Sequence, residues 1–309
     1  MNQEDTSSPR TVSGDPSSLY GMMDPGLRSA GVTASGFRLD VRRGDGSSIE
    51  LKPEPIKDGQ RLTVPPGSQA TLIEKNESLR PEPYTTQSKW EIVLSEGTKL
   101  NHYKLVHEGP QATHHSFLEV EVRRAASFQS HVFLFEGAQI RNTIHVRMAG
   151  EDAECLLEGL YVGSGSRVIE NHTLIDHQKP RGTSRELYKG ILDGRSRGLF
   201  DGLIIVQKEA QKTDSAQTNK NLLLSAEAKA VSNPELKIFA HDVKCRHGST
   251  IGQIDAAQLF YLRSRGVPQA EARRLLIYAF ASEMIEQVEI PALRDILFPC
   301  LNLATYIRK

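Results

Sequence analysis

Two side chains with metal-ligand chemistry stand two residues apart in this chain, Cys245 and His247, within the run Lys244-Cys-Arg-His-Gly-Ser-Thr-Ile-Gly252. Thiolate sulfur and imidazole nitrogen are both favourable ligands for iron. The run continues from Glu235-Leu-Lys-Ile-Phe-Ala240 and reads as extended backbone. Residues i and i+2 of a strand share a face, with Cα atoms roughly 7 Å apart. Thiol and imidazole are therefore presented side by side, and His241 has the same parity. Lys244 and Arg246 flank the cysteine, and neighbouring cations favour thiolate over thiol. Two donors do not complete a zinc or [4Fe–4S] site, so any metal here needs donors from a second chain. A Cys–His nucleophilic dyad is the poorer reading. Side chains at i and i+2 project in parallel, and no third group to orient a base is evident.

The elements around the pair are legible. Beyond Gly252 the pattern changes from period two to period 3.6. Asp255 is a good N-cap, Leu259-Phe-Tyr-Leu262 forms an apolar stripe, and Gly266 closes the turn. Pro268 suits a first helical position, with Glu271 at the positive end of the dipole. Leu275, Leu276, Ala279, Phe280 and Ile285 follow at helical spacing, and Pro291 opens a last helix through Leu297 before Pro299 breaks it. Residues 253–309 are too few to bury a core alone, so they are expected to pack on the rest of the chain, on a partner, or on both.

Upstream the chain reads as many short strands. Phe37–Val41, Arg61–Val64, Ala70–Ile73, Trp90–Leu94, Leu100–Val106, Phe117–Val122 and His131–Phe135 alternate and are divided by turn residues. Further strands begin near Glu154, Arg167, Glu186, Gly198, Asn221 and Glu235, at alternating short and long steps. That no long helix lies between them argues against a doubly wound α/β fold. A stacked solenoid and a sandwich both fit this rhythm. Residues 1–35, rich in Ser, Pro, Gly and Asp, read as a flexible tail.

Composition narrows the function classes. Lys plus Arg and Asp plus Glu each number 38, so the net charge is zero and no nucleic-acid or anionic-membrane footprint is expected. No apolar run reaches the ~18 residues of a membrane span. The N-terminus is polar, and three scattered cysteines suit a reducing compartment, so the expectation is a cytoplasmic protein. His114 and His115 face opposite sides of any strand, as do His102 and His107, while His172 and His177 flank a short strand and read as surface residues. Gly163-Ser-Gly165 lacks the third glycine of a dinucleotide loop, and there is no Walker lysine loop.

Several linked words resemble one family. Lys244 to Gly252, Gln258-Leu-Phe-Tyr-Leu-Arg-Ser-Arg-Gly-Val267, Arg197-Gly-Leu-Phe-Asp-Gly-Leu-Ile-Ile-Val206 and Ala210 to Leu224 are similar to the SufB/SufD family of the SUF iron–sulfur cluster assembly system. The likeness is to its SufD branch, since SufB has a Glu-His-Glu-Ala-Thr type of word where this chain has Cys245 to Ser249. The chain departs from the family at His241, usually acidic, and at Arg246, usually small. SufD chains also carry more N-terminal helical sequence than Met1 to Ser35 supplies. The resemblance implies a mainly β fold, with a right-handed parallel β-helix over 36–252 and a small helical domain over 253–309. It implies a non-enzymatic scaffold that pairs with SufB, or with itself when SufB is absent. Cys245 and His247 are then candidate donors at the SufB interface, with a cluster held transiently in the complex and none held stably by this chain alone. Gln258, Tyr261, Arg263 and Arg265 are placed on the helical surface that docks the SufC ATPase, which would supply the ATP chemistry. The rival expectation is a carbohydrate-active β-helix enzyme of the pectate-lyase type, against which stands the lack of clustered acids at coil spacing.

Overall fold

The computed structural model describes residues 34–78 and 80–301. Among them the strands form two eight-stranded sheets. In chain order the strands are β1 (Ala34–Arg43), β2 (Glu54–Ile56), β3 (Gly59–Val64), β4 (Ser68–Glu77), β5 (Tyr84–Leu94), β6 (Lys99–His107), β7 (Ala112–Val122) and β8 (Ser127–Glu136). They continue as β9 (Gln139–Met148), β10 (Glu154–Gly163), β11 (Val168–His177), β12 (Thr183–Leu192), β13 (Arg197–Val206), β14 (Asp214–Leu223), β15 (Lys229–Ile238) and β16 (Lys244–Gly252). One sheet runs β1-β4-β6-β8-β10-β12-β14-β16 and the other β15-β13-β11-β9-β7-β5-β3-β2. From β3 onward successive strands alternate between sheets, and neighbours within a sheet are parallel. This is a parallel β-solenoid, with one coil about every 30 residues, as the pairing of Glu154 with Thr183 and of Thr183 with Asp214 shows.

Strand alternation sends one set of side chains into the lumen. Leu62, Ile92, Val120, Phe128, Ile144, Leu157, Tyr188, Phe200 and Ile204 are buried there as one core. The rings of the later coils need glycine opposite them: a Cβ on Gly159 would lie 2.2 Å from the Tyr188 ring. One corner of the coil is a column of left-handed residues, with Ala125 at φ 51°, Asp152 at 56°, Arg181 at 61° and Lys212 at 61°. The amide of each turn residue donates to the next coil, as Asp152 does to Pro180 and Arg181 to Gln211, so the coils hold one another's corners.

The two ends differ. At the first, β1 folds back antiparallel on β4 and β2 on β3, and Phe37 packs edge-on to Trp90 at 4.9 Å. At the last, β15 and β16 end their sheets, with no strand beyond them among the described residues.

Three helices follow: α1 (Ala256–Ser264), α2 (Gln269–Ile285) and α3 (Pro291–Cys300). Asp255 caps α1, its Oδ1 accepting from the Ala257 N–H at 2.7 Å, and Gly266 at φ 87° ends it. The other two helices lie on the outer face of the first sheet. Ile277, Ala281, Met284, Leu293 and Leu297 are buried with Tyr103, Phe133, Phe135, Leu160, Val162 and Ile191. Lys189, 2 % exposed, reaches from the same face to donate to the Phe280 carbonyl at 3.0 Å and to the Glu283 carboxylate, with its ammonium 4.7 Å from the Phe280 ring centre.

Several expectations change. The strand rhythm is nearly even rather than alternating short and long, because β12, β14 and β15 begin at Thr183, Asp214 and Lys229, before the residues from which apolar alternation shows. The strand β9 has no counterpart in the sequence reading. His177 is not at the surface: it is fully buried, and its Nε2 pairs with the Ser184 hydroxyl at 2.9 Å. Pro268 is the N-cap of α2 rather than its first residue, and Pro299 lies inside α3, in the last turn. The reading of 1–35 as a tail falls outside the described residues, except that Ala34 and Ser35 begin β1.

Candidate donor site at the open end

Cys245 and His247 both belong to β16, and its pairing decides where they point. Cys245 stands opposite Ser215 and His247 opposite Gln217. Ser215 and Gln217 are lumen residues, the first fully buried and the second 1 % exposed. Thiol and imidazole therefore continue the lumen face at its uncovered end, on one face of the strand as their spacing requires. Cys245 is half-buried against the core, while His247 is exposed. Around them the same end exposes Val231, Ile238, Phe239 and Ile251, large apolar side chains beside two unpaired strand edges. His241 does not join the pair: it lies before β16, its amide donating to Gln211 Oε1 at 3.2 Å.

The electrostatics correct one expectation. Burial pushes the Cys245 thiol up, with the Asp214 carboxylate adding to the shift against the lowering effect of a hydrogen bond from the Ser215 backbone. Lys244 and Arg246 alternate onto the other face, where both contribute to holding the Asp214 carboxyl low behind its main partner Arg185, 3.0 Å away. The flanking cations serve Asp214 and do not activate the thiol.

Two columns of lumen side chains lead to the pair, and the sequence did not mark either. Cys155, Ser184, Ser215 and Cys245 stand in register on β10, β12, β14 and β16. The two serine hydroxyls are 2.7 Å apart. Beside them run Leu157, Glu186, Gln217 and His247. Gln217 Nε2 donates to Glu186 Oε2 at 2.7 Å. Burial pushes the Glu186 carboxyl up to about 7, against the lowering effect of Gln217 and Thr173. The signal that could have found these residues is the recurrence of small or polar side chains at the coil repeat, visible only once the repeat is known. Among the described residues no three His, Cys, Asp or Glu side chains stand together as a metal site.

The four candidate docking residues sit on α1. Gln258, Tyr261, Arg263 and Arg265 are all exposed, and the Arg265 guanidinium lies 5.3 Å from the Tyr261 ring centre. The helix has no buried residue, and Phe260 is 72 % exposed. Gln258 also lines a cleft of about 440 Å³ between β16 and α2, with Leu222, Ile251, Ile254, Leu276 and Phe280.

The family profile described as SUF system FeS cluster assembly, SufBD core domain, matches residues 61–280. The chain belongs to the SufBD family. It is 38 % identical over 234 residues to the iron–sulfur cluster assembly protein SufD of Escherichia coli, covering 76 % of this chain and 54 % of that protein. An iron–sulfur cluster assembly SufBD family protein of Synechocystis is 32 % identical over 269 residues, covering 82 % of this chain and 58 % of the relative. The SufD of Bacillus subtilis is 32 % identical over 133 residues, 43 % of this chain and 30 % of that protein. The chain thus spans a little over half the length of the first two relatives. The SufBD match includes the whole of β16 and α1, so both candidate surfaces lie within the shared region.

Proposed function

We propose that this chain is a non-enzymatic scaffold subunit for iron–sulfur cluster assembly, working in the cytoplasm in complex with a SufB-type partner and a SufC-type ATPase. The observation that carries the reading is the open end of the solenoid, where an adjacent thiol and imidazole stand between two unpaired strand edges and exposed apolar side chains. Unpaired edges are templates for another strand. A second solenoid end, laid edge to edge, completes the sheets and covers Ile238 and Ile251. It also brings foreign donors to Cys245 and His247, which two ligands from one chain require. The cluster is cargo in this scheme, held across the seam and passed on, and the isolated chain holds none stably. A homodimer through the same end forms when the SufB-type partner is missing. The winding is right-handed, the sense that nearly all parallel strand crossovers take.

The second surface is α1, with its unburied Phe260 and Tyr261 beside Gln258, Arg263 and Arg265. An amphipathic helix offered to a partner groove is a common docking mode, and here the partner is the ATPase. The test is co-expression of the tagged chain with SufB and SufC partners. Both are expected to co-elute, and the double variant Phe260→Asp, Tyr261→Asp loses the ATPase alone. Recovery of the chain with neither partner, or unchanged ATPase recovery in the variant, contradicts the assignment.

A further inference from the structure

Gln217 is 1 % exposed and makes one side-chain hydrogen bond, from Nε2 to Glu186 Oε2 at 2.7 Å. That bond fixes the donor end of the amide on the β12 side, where Glu186 stands, and leaves the acceptor end to find another partner. Gln217 Oε1 is buried and has no partner among the described residues, an expensive state for a carbonyl oxygen. The residue directly across the ladder on β16 is His247, on the same lumen face. Its imidazole carries donors and lies one strand away, exposed, with two side-chain torsions to bring a ring N–H onto the waiting oxygen. Opposite Gln217 the lumen wall is Gly202, where a Cβ would come within 2.4 Å of Gln217 Nε2. The close wall holds the amide in place from behind.

We propose that Gln217 is a positioning residue for His247: its Oε1 accepts one ring N–H, fixing a single imidazole tautomer and leaving the lone pair of the other ring nitrogen facing out of the open end. The Glu186 carboxylate orients Gln217 in turn, so the unit is a three-step column, Glu186–Gln217–His247, running from the dry lumen to the interface. Histidines that ligate metals characteristically give their other N–H to such an acceptor, which fixes ring orientation and raises ligand basicity. The meaning of the outward nitrogen rests on the reading of His247 as a donor to cargo at the partner interface. The tautomer itself does not.

The test is imidazole ¹⁵N chemical shifts of the full chain labelled at histidine, recorded without metal at a pH where the rings are neutral, with the His247 signals identified by their loss in His247→Gln. Wild type is expected to show one tautomer at His247, with one ring nitrogen protonated and the other bare. Gln217→Met, close in volume and without the acceptor, is expected to lose that pattern and show a fast-exchanging mixture, while the nine other histidines keep theirs. If Gln217→Met does not fold, Glu186→Gln replaces it. An amide at 186 no longer dictates which end of Gln217 faces His247, and the tautomers are again expected to mix. A mixed tautomer in wild type, or a single unchanged one in the folded variant, overturns the proposal. Because no metal is present, that failure is separate from failure of the donor reading, which shows instead as full cluster assembly in His247→Ala.

Discussion

At the scale of single residues, the shared face of Cys245 and His247 was legible because their spacing is local: residues i and i+2 of a strand share a face whatever the fold. The chemistry of the thiol was not legible, because it depends on which face. Lys244 and Arg246 are adjacent to Cys245 in sequence and turned away from it in space, so the thiol feels the lumen and Asp214 instead. Alkylation of Cys245 by iodoacetamide, followed by peptide mapping, should therefore reach half its maximal rate above the pH of an ordinary cysteine. A midpoint near neutrality would show an activated thiolate. Cys155, fully buried, should stay unreacted in the native state, and Cys300, pushed up to about 11, should lag behind Cys245. Glu186 offers a stability test. Its carboxyl titrates at about 7 folded against an ordinary value of 4.5, so it favours the folded state when protonated. The contribution is fully present below about pH 4.5 and lost as pH rises through about 7. At ~1.4 kcal/mol per pKa unit the loss is roughly 3 kcal/mol, and Glu186→Gln should remove it. The opposing trend comes from His177, held down to about 4 by burial, which costs stability as pH falls below 6.5. Denaturant melts of wild type and Glu186→Gln at pH 5 and pH 8 give the difference directly. Equal pH dependence in the two proteins would place Glu186 in a wetter site than the lumen.

At the scale of elements, strands were legible where apolar and polar residues alternate, as in Trp90–Leu94 within β5, and illegible where the lumen itself is polar. The strand β14 buries Ser215, Gln217, Asn219 and Asn221, so the period-two signal vanishes even though the backbone is regular. The sandwich and solenoid readings could not be separated by rhythm, because the polar lumen residues blurred an even repeat. In the helical region Asp255 and Gly266 were read correctly as the two ends of α1, yet the packing partner of the helices was left open. The outer face of the first sheet supplies that partner, through apolar residues on β4, β6, β8, β10 and β12. Truncation after Gly252 should accordingly expose Tyr103, Phe133, Phe135 and Leu160, and the fragment should bind a hydrophobic dye and associate. A monomeric fragment that binds no dye would mean the helices are mere passengers. Within the intact chain, Lys189→Ala removes the bonds to Phe280 and Glu283 and should cost about 2 kcal/mol, read by denaturant melts.

At the scale of the whole molecule, the solenoid is capped at one end by antiparallel strands and left open at the other, where the donor pair lies. A capped end and an open end on one body describe a subunit built to be continued. In the proposed reading a second chain would supply both further strands and further ligands, while α2 and α3 pack on the outer face of the first sheet. The account stands on His247 acting at that seam. His247 is exposed, so His247→Ala removes a nitrogen donor with little buried area, and stability should change by less than about 1 kcal/mol. The direct measurement is iron and acid-labile sulfide per complex, purified anaerobically after co-expression of this chain with the proposed SufB-type and SufC-type partners. Wild type should carry cluster, while His247→Ala should assemble the same complex at the same yield with most of the iron and sulfide gone. Equal iron and sulfide in the two complexes would contradict the donor role and leave His247 an ordinary interface residue.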